Sequence, residues 1–184
     1  MKPAGTTPRN DWLRLDDTAL LKDCRQERYR GSGPGGQRRN KVETAVRLHH
    51  RPSHLVSQAE ESRSPEVNRR RALRRLRERI ALEFRTQFDP EAPSLPAEFL
   101  AQRGPNGGLS VNPNNRAYPV IVATVLDALE SAAGSYAKAA QALGLTTSQI
   151  LRFVRSDPHL WRTARQAQPR GPVCLKTQPP NSRQ

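Results

Sequence analysis

Residues 64–84 read SPEVNRRRALRRLRERIALEF. The Ser64-Pro65-Glu66 start is a strong helix signal, because serine caps a first turn and proline fits the first helical position. Apolar residues then recur every three or four positions, as one buried face of a helix requires: Ala72, Leu73, Leu76, Ile80 and Phe84. We therefore predict a long helix with one apolar stripe packed on a sheet.

The opposite face of this helix is rich in arginine and is expected to face solvent or phosphate; it carries Arg70, Arg71, Arg74, Arg75, Arg77 and Arg79. The whole chain of 184 residues has 31 Lys and Arg against 17 Asp and Glu, a formal net charge of +14. Residues 25–85 hold 17 of the basic and 7 of the acidic residues, and 16 of those 17 are arginine. This density is typical of a polyanion binder. A solvated basic surface without a partner is the alternative.

Several function classes are excluded by composition. The longest apolar stretches, such as Val120–Ala123, are far short of the roughly 20 residues that span a bilayer. The N-terminus lacks the apolar stretch of a secretory signal, and Cys24 and Cys174 suit neither a disulfide framework nor a zinc site. We expect a cytoplasmic protein with no membrane association.

Upstream of the long helix, Asp17 is predicted to cap a short helix from Thr18 to about Arg25. Three short stretches are predicted to be strands: Tyr29–Arg30, Ala45–Leu48 and Leu55–Ala59. The expected fold class is therefore α+β, with a small antiparallel sheet and a long packed helix in a domain of about residues 15–87.

Downstream, residues 88–117 hold five prolines and three glycines, which predicts a linker with at most short local structure around Phe99–Leu100. Residues 118–167 predict a small all-α bundle with up to four helices: Tyr118–Glu130, Ser135–Leu143, a third opened by a Thr146–Gln149 capping box, and Pro158 to about Gln166. Two helices joined at Gly144 have helix-turn-helix spacing. The basic, proline-rich tail of residues 168–184 is expected to be disordered.

Between the first two predicted strands lies the glycine cluster Gly31-Ser-Gly-Pro-Gly-Gly36. It formally matches a dinucleotide-binding fingerprint. However, Arg25–Arg30 is too polar for a buried parallel strand, and Pro34 lies inside the turn. A flexible hairpin tip is the other alternative. Because four glycines in six residues lose much conformational entropy on folding, we favour a loop that brings backbone N–H groups close to a ligand.

The residues around this cluster carry a family resemblance. Tyr29-Arg-Gly-Ser-Gly-Pro-Gly-Gly-Gln37, then Asn40-Lys41, Glu43-Thr-Ala-Val-Arg47 and Ser62-Arg-Ser64 with Asn68 and Ala72, resemble the catalytic GGQ domain of the class I peptide release factors. That family includes short release-factor-like ribosome-rescue proteins. The similarity covers about residues 26–85. It departs from the family pattern at Arg38-Arg39, at His54 in place of a turn glycine, and at Pro65.

The resemblance implies a carboxylic ester hydrolase that releases the nascent peptide from P-site tRNA. Gly35, Gly36 and Gln37 are the implied catalytic residues. A backbone N–H at Gln37 would stabilise the oxyanion that forms when water attacks the ester. The two glycines would allow the backbone angles that aim this N–H, and the Gln37 side chain would orient water. No metal or other cofactor is expected.

The implied partners are the peptidyl transferase centre of the large ribosomal subunit, peptidyl-tRNA, ribosomal RNA and a possible Gln37 methyltransferase. Eight residues are expected to bind RNA: Arg30, Arg38, Arg39, Asn40, Lys41, Arg63, Arg70 and Arg74. His49, His50 and His54, around the turn at Pro52, are expected to face RNA or solvent rather than to form a hydrolytic pair with Ser32.

Few residues precede the catalytic stretch, and no stop-codon-reading motif is apparent. We therefore expect release of nascent peptide from stalled ribosomes without stop-codon reading, that is, ribosome rescue. A non-catalytic RNA- or DNA-binding protein that keeps the GGQ fold is the alternative. The bundle at 118–167 is expected to dock to ribosomal RNA or protein, with a purely structural bundle as its alternative.

Overall fold

The computed structural model describes residues 9–30, 42–104 and 107–166. These residues form an α+β fold with three strands and eight helices, in the order α1 Arg9–Arg14, α2 Asp17–Lys22, β1 Cys24–Tyr29, β2 Ala45–His50, β3 Val56–Ala59, α3 Pro65–Glu83, α4 Ala97–Ala101, α5 Tyr118–Ser131, α6 Tyr136–Leu143, α7 Thr147–Arg155 and α8 Pro158–Gln166. In this part of the chain, no helix combines the length and the apolar character needed to cross a bilayer.

The sheet is antiparallel, as predicted, and its strand order is β1-β2-β3. Cys24 lies opposite His50 and Tyr29 opposite Ala45, while Val46 lies opposite Ala59. The central strand β2 buries Ala45, Val46, Leu48 and His50. Its buried face is covered by α3, which packs on both β2 and β3.

The predicted boundary between the first helix and the first strand was wrong. Asp16 rather than Asp17 caps α2, accepting a hydrogen bond from the Ala19 N–H at 2.7 Å. The helix ends at Lys22, and β1 runs from Cys24 through the Arg25 that was assigned to the helix. Only the Tyr29 end of this strand was predicted, because β1 lies at the sheet edge and half of its side chains are exposed, so it lacks a clear apolar alternation.

The long helix was predicted correctly. Ser64 caps α3 by accepting from the Val67 N–H at 3.4 Å, and Pro65 occupies the first turn. The apolar positions of the helix are buried from Ala72 to Ile80. Its C-cap is Phe84.

One residue assigned to the arginine face of α3 lies elsewhere. Arg77 is only 7% exposed, pairs with Asp17 at 2.8 Å and donates to the Leu15 carbonyl at 2.8 Å. The expectation that it faces solvent or phosphate was therefore wrong. The cause is that α1 and α2 both pack against α3, which turns part of its polar face into an interior contact.

The C-terminal helices share a hydrophobic core with the sheet. Helix α5 is buried along almost its whole length, from Tyr118 to Leu129, and packs on α3. Phe99 of α4, in the stretch predicted to be a linker, is fully buried in the same core. The division into domains at residues 88 and 118 stays a prediction.

Local capping signals define the last helices as the sequence indicated. Gly144 ends α6 with φ of 63°, a left-handed conformation that glycine adopts without a Cβ penalty. Thr146 and Gln149 form the capping box of α7, with the Gln149 Oε1 accepting from the Thr146 N–H at 2.8 Å. Two helices are thus joined by three residues, 144–146.

Candidate active site

The glycine cluster lies in the connection between β1 and β2. Because Tyr29 is paired with Ala45, residues 30–44 join the ends of two antiparallel strands that are in register. The predicted catalytic residues Gly35, Gly36 and Gln37 lie outside the described residues, as do Arg38, Arg39, Asn40 and Lys41. The structure therefore describes this connection at its two ends, where β1 ends and where β2 begins.

Asn68 anchors the returning end of the connection. Its side chain is fully buried, and its Nδ2 donates to the carbonyl of Thr44 at 2.7 Å and to that of Ser62 at 2.8 Å. Its Oδ1 accepts from the Ser62 N–H at 2.9 Å. Breaking these three hydrogen bonds would leave a buried amide without partners, which costs free energy. The position of Thr44 relative to α3 is therefore well defined.

Sequence reasoning assigned no role to Asn68 beyond its place in the family resemblance. A signal was available, because Asn68 stands four residues before Ala72 and so lies on the apolar face of α3. A polar side chain on a buried stripe needs hydrogen-bonding partners. What the sequence could not supply is the identity of those partners.

The departing end of the connection is marked by Arg30. Its exposed guanidinium lies 3.8 Å from the Glu43 carboxylate, which stands near the returning end. One residue earlier, the Arg47 guanidinium lies over the Tyr29 ring at 4.9 Å from its centroid and forms a cation–π contact. Positive charge is therefore present at the root of the connection, where Arg30 is predicted to bind RNA.

The other described arginines of the predicted RNA-binding set fall into two groups. Arg63 and Arg70 are exposed and form no ion pair with any residue that the structure describes. Arg74 pairs with Glu78 at 3.0 Å and donates to Asn114 at 2.6 Å. Exposed ion pairs contribute only about 0–1 kcal/mol, so a phosphate group can replace such a partner.

The three histidines do not behave alike. His50 is fully buried, so the expectation that it faces RNA or solvent was wrong. Strand alternation places it on the inner face of β2, where its Nδ1 lies 2.6 Å from Ser53 Oγ and its ring meets Trp12 edge to face. His49 pairs with Glu27 at 3.2 Å. His54 has φ of 58°, a left-handed conformation that glycine adopts most readily. This explains why the resembled family has a glycine at this position of the turn.

His50 gives the fold a predicted pH dependence. Burial lowers the pKa of His50 below its ordinary value of 6.5, so the unfolded chain binds this proton more readily than the folded protein. The free energy of unfolding should then fall as the pH drops below about 6.5. Urea denaturation at neutral and mildly acidic pH measures this loss.

The His50→Asn variant is the matched comparison, because asparagine keeps a polar partner for Ser53 but does not titrate. Its loss of unfolding free energy on acidification should be smaller than that of the wild type. Equal losses in the two proteins would assign the acid sensitivity to other groups.

The part of the chain around this site matches known proteins. Residues 18–100 match the family model described as the RF-1 domain. The chain is 46% identical over 66 residues to peptide chain release factor 1 of Lacticaseibacillus casei, covering 36% of this chain and 18% of that protein. It is 42% identical over 90 residues to peptide chain release factor 2 of Campylobacter lari, covering 46% of this chain and 25% of that protein.

A third relative, peptide chain release factor 1 of Chloroherpeton thalassium, is 48% identical over 59 residues, which are 32% of this chain and 16% of that protein. The chain thus spans a quarter or less of the length of these curated relatives. No solved structure matches the chain significantly. The similarity concerns the sheet, α3 and the β1–β2 connection, and the helices after α4 lie beyond the matched family model.

Proposed function

We propose that the protein is a ribosome-dependent peptidyl-tRNA hydrolase of the class I release factor family, because residues 18–100 match the RF-1 domain model and the chain is similar to peptide chain release factors. The observation that carries the proposal is the sequence Gly35-Gly36-Gln37 within the matched range, in the connection between two strands that are in register. The ribosome and peptidyl-tRNA are the partners that this activity requires.

The proposed reaction adds water to the ester between the nascent peptide and the terminal ribose of tRNA. Water oxygen attacks the ester carbonyl, and the negative charge that develops on the carbonyl oxygen is stabilised by the backbone N–H of Gln37. The acyl carbon–oxygen bond then breaks, so that the water oxygen becomes part of the peptide carboxylate, one water proton passes to the ribose oxygen and the other is released to solvent. Gly35 and Gly36 supply the backbone freedom that aims this N–H.

The scaffold around the connection supports such positioning. Catalysis by a single backbone donor depends on where that donor is held, because displacements of about 1 Å cost rate. Tyr29 and Ala45 are paired in the sheet, and Asn68 holds the Thr44 carbonyl at 2.7 Å. Both ends of the connection are therefore tied to the sheet, and the returning end is also tied to α3. Modification of Gln37 by a methyltransferase is part of the same proposal.

We infer further that release does not depend on a stop codon and serves the rescue of stalled ribosomes, which places the protein in the cytoplasm. What supports this inference is that helices α6 to α8, which follow the matched RF-1 region, carry five exposed basic side chains suited to docking on the ribosome. Eight residues are proposed to hold the domain against ribosomal RNA and the tRNA end: Arg30, Arg38, Arg39, Asn40, Lys41, Arg63, Arg70 and Arg74.

The test compares codon states in the ribosomal A site. Ribosomes that carry labelled peptidyl-tRNA are prepared with a stop codon, with a sense codon, or at the end of a truncated mRNA, and peptide release by the purified protein is measured. We expect release from the truncated complex at a rate equal to or higher than that from the stop-codon complex. Release that requires the stop codon would contradict the rescue proposal while leaving the hydrolase intact.

A non-catalytic RNA- or DNA-binding role is the second candidate. It is favoured by the charge of residues 25–85, where 17 basic residues stand against 7 acidic ones. Such a charge supports binding to any polyanion and requires no catalytic activity. This candidate predicts ribosome binding without peptide release, even when Gln37 is methylated.

A further inference from the structure

Helix α7, the second of the two helices joined by residues 144–146, presents an exposed polar face. Ile150, Phe153 and Val154 bury one side of α7 in the core. On the other side, Ser148, Arg152 and Arg155 follow at helical spacing and are exposed. With Leu151 and Ser156 they line a shallow open groove of about 570 Å³. This α7 face has no assigned role in peptide hydrolysis.

The charge of this region is more one-sided than its composition suggests. Residues 118–166 contain five basic and three acidic side chains. All three acidic side chains have a partner within the chain: the buried Asp127 pairs with Arg9 at 2.8 Å, the exposed Glu130 pairs with Arg85 at 3.2 Å, and Asp157 accepts from the Tyr118 hydroxyl at 3.0 Å. Asp157 also caps α8 by accepting from the His159 N–H at 2.8 Å.

The five basic residues, by contrast, form no ion pair with an acidic side chain in the part of the chain that the structure describes: Lys138, Arg152, Arg155, Arg162 and Arg165. All five are exposed. Two of the three acids are neutralised by arginines from outside residues 118–166, so the helices keep their own positive charge for an external partner.

Two of these arginines are held in place by stacking instead. The guanidiniums of Arg155 and Arg165 lie 5.3 Å and 5.9 Å from the centroid of the Trp161 ring on α8. A cation–π contact orients a guanidinium but leaves its charge and most of its N–H donors available. Arg155 is therefore positioned beside Arg152 without being neutralised.

We propose that the α7 face, formed by Ser148, Leu151, Arg152 and Arg155, docks on double-helical ribosomal RNA through contacts to backbone phosphates. Arginine pairs well with phosphate because its planar fork can donate two hydrogen bonds at once. Double-helical RNA is recognised mainly by shape and through its backbone, which suits a face with two arginines and few groups for reading bases. The choice of RNA over DNA rests on the proposed function, since a release factor domain acts on the ribosome.

The test measures binding of the full chain, without reference to hydrolysis. The charge-reversed variant Arg152→Glu/Arg155→Glu is compared with wild type for affinity to vacant ribosomes, to a labelled RNA hairpin, and to a DNA hairpin of the same sequence. Loss of two phosphate contacts should weaken binding to ribosomes and RNA by about tenfold and lower the salt slope of log affinity by about two. The variant Arg152→Lys/Arg155→Lys keeps both charges and should bind within about threefold of wild type.

Unchanged affinity of the charge-reversed protein for ribosomes would overturn the proposal. Weakened binding to ribosomes with unchanged binding to the RNA hairpin would assign the face to a ribosomal protein, and preferential binding to the DNA hairpin would assign it to DNA. Either result also overturns it. Thermal unfolding checks that each variant folds, and Arg152→Ala/Arg155→Ala replaces the reversed pair if glutamates destabilise the bundle. A wild type that docks through α7 but releases no peptide would contradict the proposed hydrolysis alone.

Discussion

Gly36→Ala should lower the rate of peptide release by about a hundredfold or more, because a misdirected oxyanion donor costs about 10²–10³ in rate. Gln37→Pro, which removes the backbone N–H itself, should lose release to the same extent. Gln37→Ala keeps that N–H and removes only the side chain, so its loss reports the part played in orienting water. Single-turnover release from ribosomes at the end of a truncated mRNA measures all three rates.

The matched control is Ser32→Ala, which lies in the same glycine cluster. We expect it to keep its release rate, since the proposed attack is by water rather than by a serine hydroxyl. Binding of each variant to ribosomes should stay close to that of wild type. Release by Gly36→Ala at the wild-type rate would show that the sequence Gly35-Gly36-Gln37 does not carry the proposed catalysis.

The second large effect is on stability. Asp127→Ala should lower the free energy of unfolding by about 3–5 kcal/mol, because it leaves the Arg9 guanidinium buried without its counter-charge. The two residues are 1% and 4% exposed, and both carboxylate oxygens lie 2.8 Å from guanidinium nitrogens. Asp127 also accepts from the Thr86 hydroxyl at 2.7 Å and from the Thr86 N–H at 3.1 Å. Urea denaturation gives the difference.

Glu130→Ala is the comparison variant, one helical turn further along α5. It removes a carboxylate that is 58% exposed and pairs with Arg85 at 3.2 Å. An ion pair with an exposed member is worth at most about 1 kcal/mol, so this change should have little effect. Similar losses for the two variants would show that the Arg9–Asp127 pair is no more important than a surface contact.

The Arg9–Asp127 pair illustrates what the sequence could not predict. The two residues are 118 positions apart in the chain, and no local pattern links them. Signals that act within a few residues were readable: the Ser64 cap, the Thr146–Gln149 capping box and the Gly144 stop all lie where the sequence placed them. Local hydrogen bonds depend mainly on residue type and spacing, and the one cap placed wrongly, Asp17 for Asp16, was off by a single residue. A buried pair depends instead on which helices pack together.

The same distinction applies to the site. The sequence identified the glycine cluster and the neighbouring basic residues through their resemblance to one family. It did not predict that Asn68 holds the Thr44 carbonyl, that Arg77 is buried against Asp17, or that His50 is enclosed beside Trp12. Each of these depends on tertiary packing, which the spacing of apolar residues within one helix or strand does not reveal. Arginine-rich patterns in particular do not distinguish a phosphate contact from an internal ion pair.

The central claim is that this chain hydrolyses peptidyl-tRNA on the ribosome through Gly35-Gly36-Gln37. The most direct measurement is release of labelled peptide from ribosomes stalled at the end of a truncated mRNA, with wild type, Gln37-methylated wild type and Gly36→Ala in parallel. We predict release by the wild-type proteins and ribosome binding without release by Gly36→Ala. Wild-type protein that binds these ribosomes but releases no peptide in either form would contradict the claim and favour the binding protein.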